Sequence, residues 1–445
     1  MASLPQNRLS PDTPFQSFAF RGHRFDSENG TIFLSYNFSP DGPAFEERIV
    51  LGPSKFKADM KALNRVLRLL HIAAGISYYK AYTPRDLTGA DVSADEAAFF
   101  SKFYREGLGE FAHRNGLNIS DYKFFSASER VDERRAVDLP ERALVLVGGG
   151  KDSVVSVETL RAAGDDITLF AVNPAKPIKD CMEKAGLPVM TVTRTLDAQL
   201  FELNKQCAYN GHVPITGIIS FIATAAALWH GYNKIILSNE RSANEPTVDG
   251  VNHQYSKSQD FESDFIKLMG NAPAYESLLR PLSEIGIARL FAKTDRYDSV
   301  FTSCNKAYSI TNPMMDKRWC GACPKCLFVY LSLATALPRA RLRGIFGKDL
   351  LDDAELIEGY RALSGLVGQK PWECVGEILE SAAALYALSQ NAEWKDAAII
   401  AALKNDLVSQ YGTQKLDAEY QRALSFADAP TLDTRDLEKL KRYAR

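Results

Sequence analysis

Residues 143–160, ALVLVGGGKDSVVSVETL, set an apolar run directly before three glycines and then a helical pattern that opens on Lys151, Asp152 and Ser153. Few folds accommodate that order. A strand that ends at Gly148, Gly149 and Gly150 and turns at once into a helix leaves backbone N–H groups at the positive end of a helix dipole. Glycine admits left-handed backbone and close approach of a ligand, so the turn has the makings of an anion site. Ser153 is placed to cap the helix or to donate its hydroxyl to a ligand oxygen. Asp152 beside a phosphate makes sense with Mg²⁺ between them. The spacing is neither G-x-x-x-x-G-K-[ST] nor G-x-G-x-x-G, which removes the two commonest nucleotide loops. The bland alternative is a glycine-rich turn without a ligand.

From about residue 141 the short apolar runs ALVLV, ITLFAV, PVMTVT and KIILS alternate with helical segments. Strands buried on both faces look like that, so an α/β fold is expected, a parallel sheet with helices on both faces. Residues 17–51 differ, alternating apolar and polar positions between SENG and SPDGP turn signals. They read as three short antiparallel strands. Phe56, Met60, Leu63, Val66, Leu67 and Leu70 then recur at helical spacing and predict an amphipathic helix packed on those strands. A second helix is expected over ADEAAFFSKFYREGLGEFAHRNG, closed by Gly116, and SASERVDERRAVDLPER reads as a linker. The last hundred residues carry helical patterns, DDAELIEGYRALSGLV and VGEILESAAALYALSQ among them, and no clear strand. With 445 residues the chain divides into about three domains. These are an N-terminal α+β domain over 1–136, the α/β domain over 137–345 and a helical region over 346–445.

Lys+Arg 53 against Asp+Glu 55 leaves a formal charge of −2, which gives no global basic field for nucleic acid. A secretory signal and a membrane span are not expected either. Of 7 cysteines, Cys304, Cys320, Cys323 and Cys326 crowd into one short stretch. That fits a reducing cytoplasm and a thiolate metal site better than a disulfide framework. Two intervening residues let neighbouring thiolates turn onto one metal, and Gly321 eases the knuckle. Four thiolates around Zn²⁺ leave no open position, so the site is expected to be structural, its charge offset by Lys317, Arg318 and Lys325. An iron–sulfur cluster is the rival, but a ferredoxin run places its fourth cysteine soon after the third. Cys181, Cys207 and Cys374 read as core residues.

Between the loop and the cysteines, the strand KIILS ends at NERSAN, and open α/β sheets place ligand contacts at the carboxyl ends of strands. Glu240, Arg241, Asn252, His253, Lys257 and Glu262 all sit on or after that edge. His253 is flanked by Asn and Gln instead of apolar residues. Taken singly, Glu240 and Arg241 also suit a surface ion pair and His253 a loop. Their density makes the segment a candidate site.

GGGKDS resembles the S-G-G-x-D-S pyrophosphate loop, or PP-loop, of the N-type ATP pyrophosphatases. Those enzymes split ATP between its α and β phosphates and attach AMP to a substrate oxygen. Gly148 replaces the usual first serine, which removes one hydroxyl donor. The cysteine pattern resembles the zinc knot of the 7-cyano-7-deazaguanine synthases. Taken in order, GGGKDS, HVPITGIIS, SNERSAN, NHQYSKS, SCNKA, WCGACPKC and KPWECVGE resemble the UDP-N-acetylmuramoyl-L-alanyl-L-glutamate epimerases. The N-terminal FDSENGTIFLSYNF fits the same family, so the likeness covers nearly the whole chain.

That resemblance implies an adenine nucleotide hydrolase-like fold with a four-cysteine zinc site. It also implies an ATP- and Mg²⁺-dependent inversion of the terminal L-glutamate of the peptidoglycan precursor to D-glutamate, through an acyl-adenylate that releases AMP and pyrophosphate. Gly148, Gly149, Gly150, Lys151, Asp152 and Ser153 are then the ATP-binding residues. His253, Glu240 and Lys257 are the acid/base candidates, and Arg241, Asn252 and Glu262 the substrate contacts. The partner is a small sugar nucleotide, not a nucleic acid or a membrane, and the oligomeric state stays open. Two other readings remain: a tRNA-thiolating or deazaguanine-forming adenylating enzyme, and a non-catalytic zinc-stapled binding module. No spare cysteine sits near the loop in a reactive setting, which speaks against thiolation, and intact Lys151, Asp152 and Ser153 speak against the module.

Overall fold

The computed structural model describes residues 14–131, 133–206, 208–244, 252, 254–270, 273–308, 317–368, 371, 373 and 375–445. Its strands in chain order are β1 Ser17–Asp26, β2 Thr31–Ser39, β3 Ala44–Val50, β4 Asp86–Thr88, β5 Ala143–Leu146, β6 Ile167–Val172, β7 Val189–Thr195, β8 Lys234–Leu237 and β9 Ala274–Ser277. The residues group into two compact units. Unit 1 takes residues 1–141, 191–234 and 251–274, and unit 2 takes 142–190, 235–250 and 275–445.

In unit 1, β1, β2 and β3 form the expected antiparallel meander, and β4 adds parallel to β1. Alternation decides which face is covered. Ile32, Leu34, Tyr36 and Phe38 of β2 are buried while the residues between them are half-exposed, as a period of two requires. The helix Met60–Tyr79 packs on β1 and β2. Asp59 caps it by accepting from the amides of Lys61 at 3.0 Å and Ala62 at 3.1 Å, and Leu63, Val66, Leu67 and Leu70 are buried on its inner face. Met60 is exposed and Phe56 precedes the helix.

Two expectations in this unit need correction. The second helix is broken into Ala94–Gly107 and Gly109–Asn115, with Gly116 closing the latter in the left-handed region. Glycines on both sides of Leu108 weaken helix propensity there. Gly107 cannot be enlarged, since a Cβ would lie 2.6 Å from the Pro214 ring. The strand β7 is not buried on both faces. Its residues alternate between exposed and covered, and 193–195 pair antiparallel with 48–50 of β3. Arg194 explains its position, donating to both carboxylate oxygens of buried Glu47 at 2.6 and 3.0 Å and to Ser77 at 3.0 Å.

In unit 2, β5 and β6 are parallel, with Ala143 opposite Ile167 and Leu146 opposite Phe170, in the order β6-β5-β8-β9. Leu144, Val145, Leu169 and Phe170 are wholly inaccessible, as expected for strands covered on both sides. Behind β5 the helix Lys151–Ala163 packs against the helices Glu284–Phe291 and Thr434–Ala444. Beyond residue 324 the described elements are all helical. These helices share one core with the sheet, running from Val145 and Leu169 through Leu331 to Leu403 and Leu440. The architecture is mixed α/β followed by helices, and no described helix is long and apolar enough to cross a membrane.

Candidate functional site

The glycine turn has the form its composition requires. Gly149 has φ +80°, and Gly150 is the extended N-cap of the helix Lys151–Ala163, whose first turn receives no side-chain cap. Residues far along the chain brace the turn from one side. The Gly149 carbonyl accepts from the Thr302 amide at 3.0 Å, with the Cys181 thiol 3.4 Å away. The Tyr308 hydroxyl lies 3.0 Å from the carbonyl oxygens of both Gly148 and Thr302. A Cβ at Gly149 would fall 2.6 Å from that hydroxyl, whereas one at Gly148 meets nothing within 4 Å. Glycine is therefore strongly favoured at 149, and at 148 even a serine would fit.

Of the polar residues that follow, Ser153 donates its hydroxyl back to the Gly150 carbonyl at 3.0 Å. Lys151 is 2% exposed, and its ammonium is held by Asp152 at 2.5 Å and by Glu284. Burial works against that charge, but the two carboxylates outweigh it and keep Lys151 protonated above its ordinary range. Glu284 leads the helix Glu284–Phe291. Burial pushes its pKa up, Lys151 pulls it down, and Asp152 and Glu240 push it up again. Behind it Glu380, also buried, accepts from the Ile285 amide at 2.9 Å, and burial with the nearby Glu284 raises its pKa to about 7. Neither glutamate was anticipated from sequence. The only signal was a carboxylate inside an apolar helical run, SEIGIARLF and ILESAAALYALS.

The four cysteines converge as expected. The sulfurs of Cys304, Cys320, Cys323 and Cys326 all lie within 4.8 Å of one another, with separations of 3.9, 3.6 and 3.5 Å for Cys304–Cys323, Cys320–Cys326 and Cys323–Cys326. Four thiolates at about 2.3 Å from a tetrahedral ion have sulfur edges of about 3.8 Å. The cluster is therefore sized for a single ion, and not for a cage of iron and sulfide. Gly321 turns the knuckle at φ +70°, and the Cys323 amide points at the Cys320 sulfur at 3.3 Å. Hydrogen bonds among the sulfurs pull the Cys304 thiol down and push Cys323 up to about 12, a conflict that a cation at the centre would relieve. Thr302 links this cluster to the glycine turn. Its hydroxyl accepts from the Cys304 amide at 3.1 Å while its own amide holds Gly149. Cys181 is buried as a core residue; Cys207 and Cys374 lie outside the described residues.

The other candidates fall in different places. Glu240 and Arg241 belong to unit 2. Glu240 is buried, accepting from the Ser242 hydroxyl at 3.1 Å, so an exposed ion pair is not its setting. The Arg241 amide donates to the Leu282 carbonyl at 3.1 Å. Asn252, Lys257 and Glu262 belong to unit 1. Asn252 accepts from the Gln254 amide at 2.8 Å, Lys257 lies in the turn Tyr255–Lys257, and buried Glu262 is in the first turn of the helix Gln259–Met269. His253 lies outside the described residues.

A family model described as MurL N-terminal domain matches residues 10–277, and one described as MurL C-terminal domain matches residues 300–418. A protein of Xanthomonas oryzae pv. oryzae named UDP-N-acetyl-alpha-D-muramoyl-L-alanyl-L-glutamate epimerase is 42% identical over 417 residues, which cover 91% of this chain and 92% of that protein. Proteins of the same name from Micromonospora sp. and Salinispora tropica are 42% and 41% identical over 403 residues. Each of these covers 87% of this chain, and 90% and 88% of its own length. The glycine turn falls within the first of these family matches and the cysteine cluster within the second. The chain belongs to the MurL family.

Proposed function

We propose that this chain inverts the terminal L-glutamate of UDP-N-acetylmuramoyl-L-alanyl-L-glutamate to D-glutamate, driven through an acyl-adenylate made from ATP. The observation that carries the reading is the braced glycine turn at an uncapped helix start, in a chain whose relatives are named for that epimerisation. Its likeness to the PP-loop supports reading the turn as the pyrophosphate loop of an N-type ATP pyrophosphatase.

The chemistry explains why ATP is needed. The hydrogen on the α-carbon of a free carboxylate is scarcely acidic, because removing it gives an enolate with two negative oxygens. Capping the carboxylate with AMP cancels one charge and makes the carbonyl a better electron sink. Epimers of one residue are nearly equal in energy, so the nucleotide serves the barrier and not the equilibrium. Backbone donors of Gly148, Gly149 and Gly150 hold the leaving pyrophosphate, with the charge developing at the positive end of the helix. Asp152, one-third exposed in the first helical turn, fits a Mg²⁺ ligand, and the ion would neutralise the departing phosphates. A base then takes the α-proton from one face and an acid returns one to the other. His253, Glu240 and Lys257 are our candidates for these steps. Arg241, Asn252 and Glu262 contact substrate, Arg241 by gripping a carboxylate or phosphate bidentately.

Cys304, Cys320, Cys323 and Cys326 would hold Zn²⁺ through their four thiolates, where the ion would anchor the fold and leave the reaction to other residues. A thiolate site of this kind suits the cytoplasm. Incubation with the L-glutamate precursor, ATP and Mg²⁺ in heavy water tests the reading. Deuterium at the glutamate α-carbon, with pyrophosphate released only when the peptide-bearing nucleotide is present, is the expected result. Pyrophosphate release that ignores this nucleotide would instead point to a thiolating or deazaguanine-forming enzyme.

A further inference from the structure

We infer that unit 1 carries an anion pocket that receives the diphosphate of the sugar nucleotide, with the nucleoside against its aromatic wall. This rests on the sugar-nucleotide reading above and adds to it a place for the end of the substrate that does not react. The pocket is a cleft of ≈ 990 Å³, within the range of sites that enclose nucleotide-sized ligands. Lys61, Arg65, Arg68, Arg130, Arg134 and Arg135 line it, against Glu133 as the one carboxylate among the described lining residues.

The basic residues have two origins. Lys61, Arg65 and Arg68 recur at helical spacing on the helix Met60–Tyr79, forming a stripe apart from the buried Leu63, Val66, Leu67 and Leu70. Arg130, Arg134 and Arg135 come from the charged linker, which therefore has a function beyond joining segments. Several of these side chains are fixed in direction. Arg65 is 5% exposed and donates to the Leu268 carbonyl at 2.8 Å. Arg68 forks onto fully buried Glu96 at 2.9 and 2.7 Å, and Arg130 is steadied by Asp91 at 2.7 Å. Arg134 pairs with Asp95 at 3.6 Å, Arg135 with Asp59 at 3.1 Å and Arg130 also with Glu133 at 3.5 Å; of these carboxylate partners only Glu133 is among the lining residues, so basic groups outnumber acidic ones on the cleft surface. Oriented guanidinium forks match phosphate oxygens better than mobile ammonium groups do. Phe25, half-buried and edge-on to Trp229 with ring centres 4.9 Å apart, gives the cleft an apolar wall on which a base can rest. A bare phosphate would use only part of this space, whereas a nucleoside diphosphate matches its charge, length and apolar side together.

Calorimetric titration of the full chain with UDP, without ATP, tests the pocket. Lys61 and Arg135 are exposed, and the double variant Lys61→Glu, Arg135→Gln alters the rim without touching the buried Arg65 or Glu96. UDP should bind one per chain, and the double variant should weaken it about tenfold or more, the loss of two charge-assisted contacts. The milder pair Lys61→Ala, Arg135→Ala should weaken it in the same direction, and Lys404→Glu on the helix Ala398–Tyr411 of unit 2 should leave it unchanged. In turnover the double variant should raise KM for the sugar nucleotide without moving KM for ATP. UDP binding untouched by both rim pairs, or an RNA oligonucleotide bound as tightly as UDP, would overturn the pocket. Failure of the unaltered chain to turn over the sugar nucleotide at all would overturn the epimerase reading instead.

Discussion

Replacing Gly149 by alanine probes the glycine turn where it is tightest. Its φ of +80° is one an alanine occupies only at about 1–2 kcal/mol. The new Cβ would also stand 2.6 Å from the Tyr308 hydroxyl. Tyr308 must then swing away from the Gly148 and Thr302 carbonyls, both 3.0 Å from it, for about 1 kcal/mol more. Together these give about 2–3 kcal/mol, which as distortion of the turn weakens nucleotide binding by roughly 30- to 140-fold. The effect is divisible. In a Tyr308→Phe background the colliding oxygen is gone, so Gly149→Ala should show only its backbone part, about 1 kcal/mol less. KM for ATP from pyrophosphate release gives the size, and melting curves show that the fold survives. Parental ATP affinity in Gly149→Ala would refute the role of the turn, and equal losses in both backgrounds would refute the Tyr308 brace.

Glu380 titrates at about 7 in the folded chain against an ordinary 4.5. Its raised pKa makes its contribution to stability complete below pH 4.5 and lost as pH rises to 7, a slope worth about 3 kcal/mol in all. Glu380→Gln should therefore flatten the melting temperature between those pH values and stabilise the chain above pH 7; an unchanged slope would contradict this. Glu47→Ala leaves Arg194 buried without its carboxylate and should destabilise by about 3–5 kcal/mol, whereas pairing it with Arg194→Met should recover most of that in denaturant titrations. Metal analysis should find one zinc and no iron per chain. Cys320→Ser should lower the melting temperature and, because Thr302 joins the cluster to Gly149, also weaken nucleotide binding measured directly; a chain free of metal would count against the site.

How much of this was legible depended on range along the chain. The β5–glycine–helix order and the cysteine knuckle are local, so spacing alone announced them. The brace was not, because Thr302 and Tyr308 lie far beyond the glycines they hold, Tyr308 by 160 residues from Gly148. Glu284 and Glu380 were passed over since each sits in an apolar helical run where a single carboxylate looks incidental. PVMTVT looked like a doubly covered strand, but Arg194 pairs with Glu47 and ties the strand's end to the meander, where one face stays exposed. β9 was missed because four residues, one of them Glu276, give too short a pattern. The helix Met60–Tyr79 was read from its apolar stripe alone, which left the basic stripe unremarked.

Oxygen transfer tests the central claim most directly. If the glutamate α-carboxylate is activated by AMP, substrate labelled with ¹⁸O in that group should pass one labelled oxygen to AMP when water opens the acyl-adenylate at carbon. Epimerised product formed alongside unlabelled AMP would contradict the account.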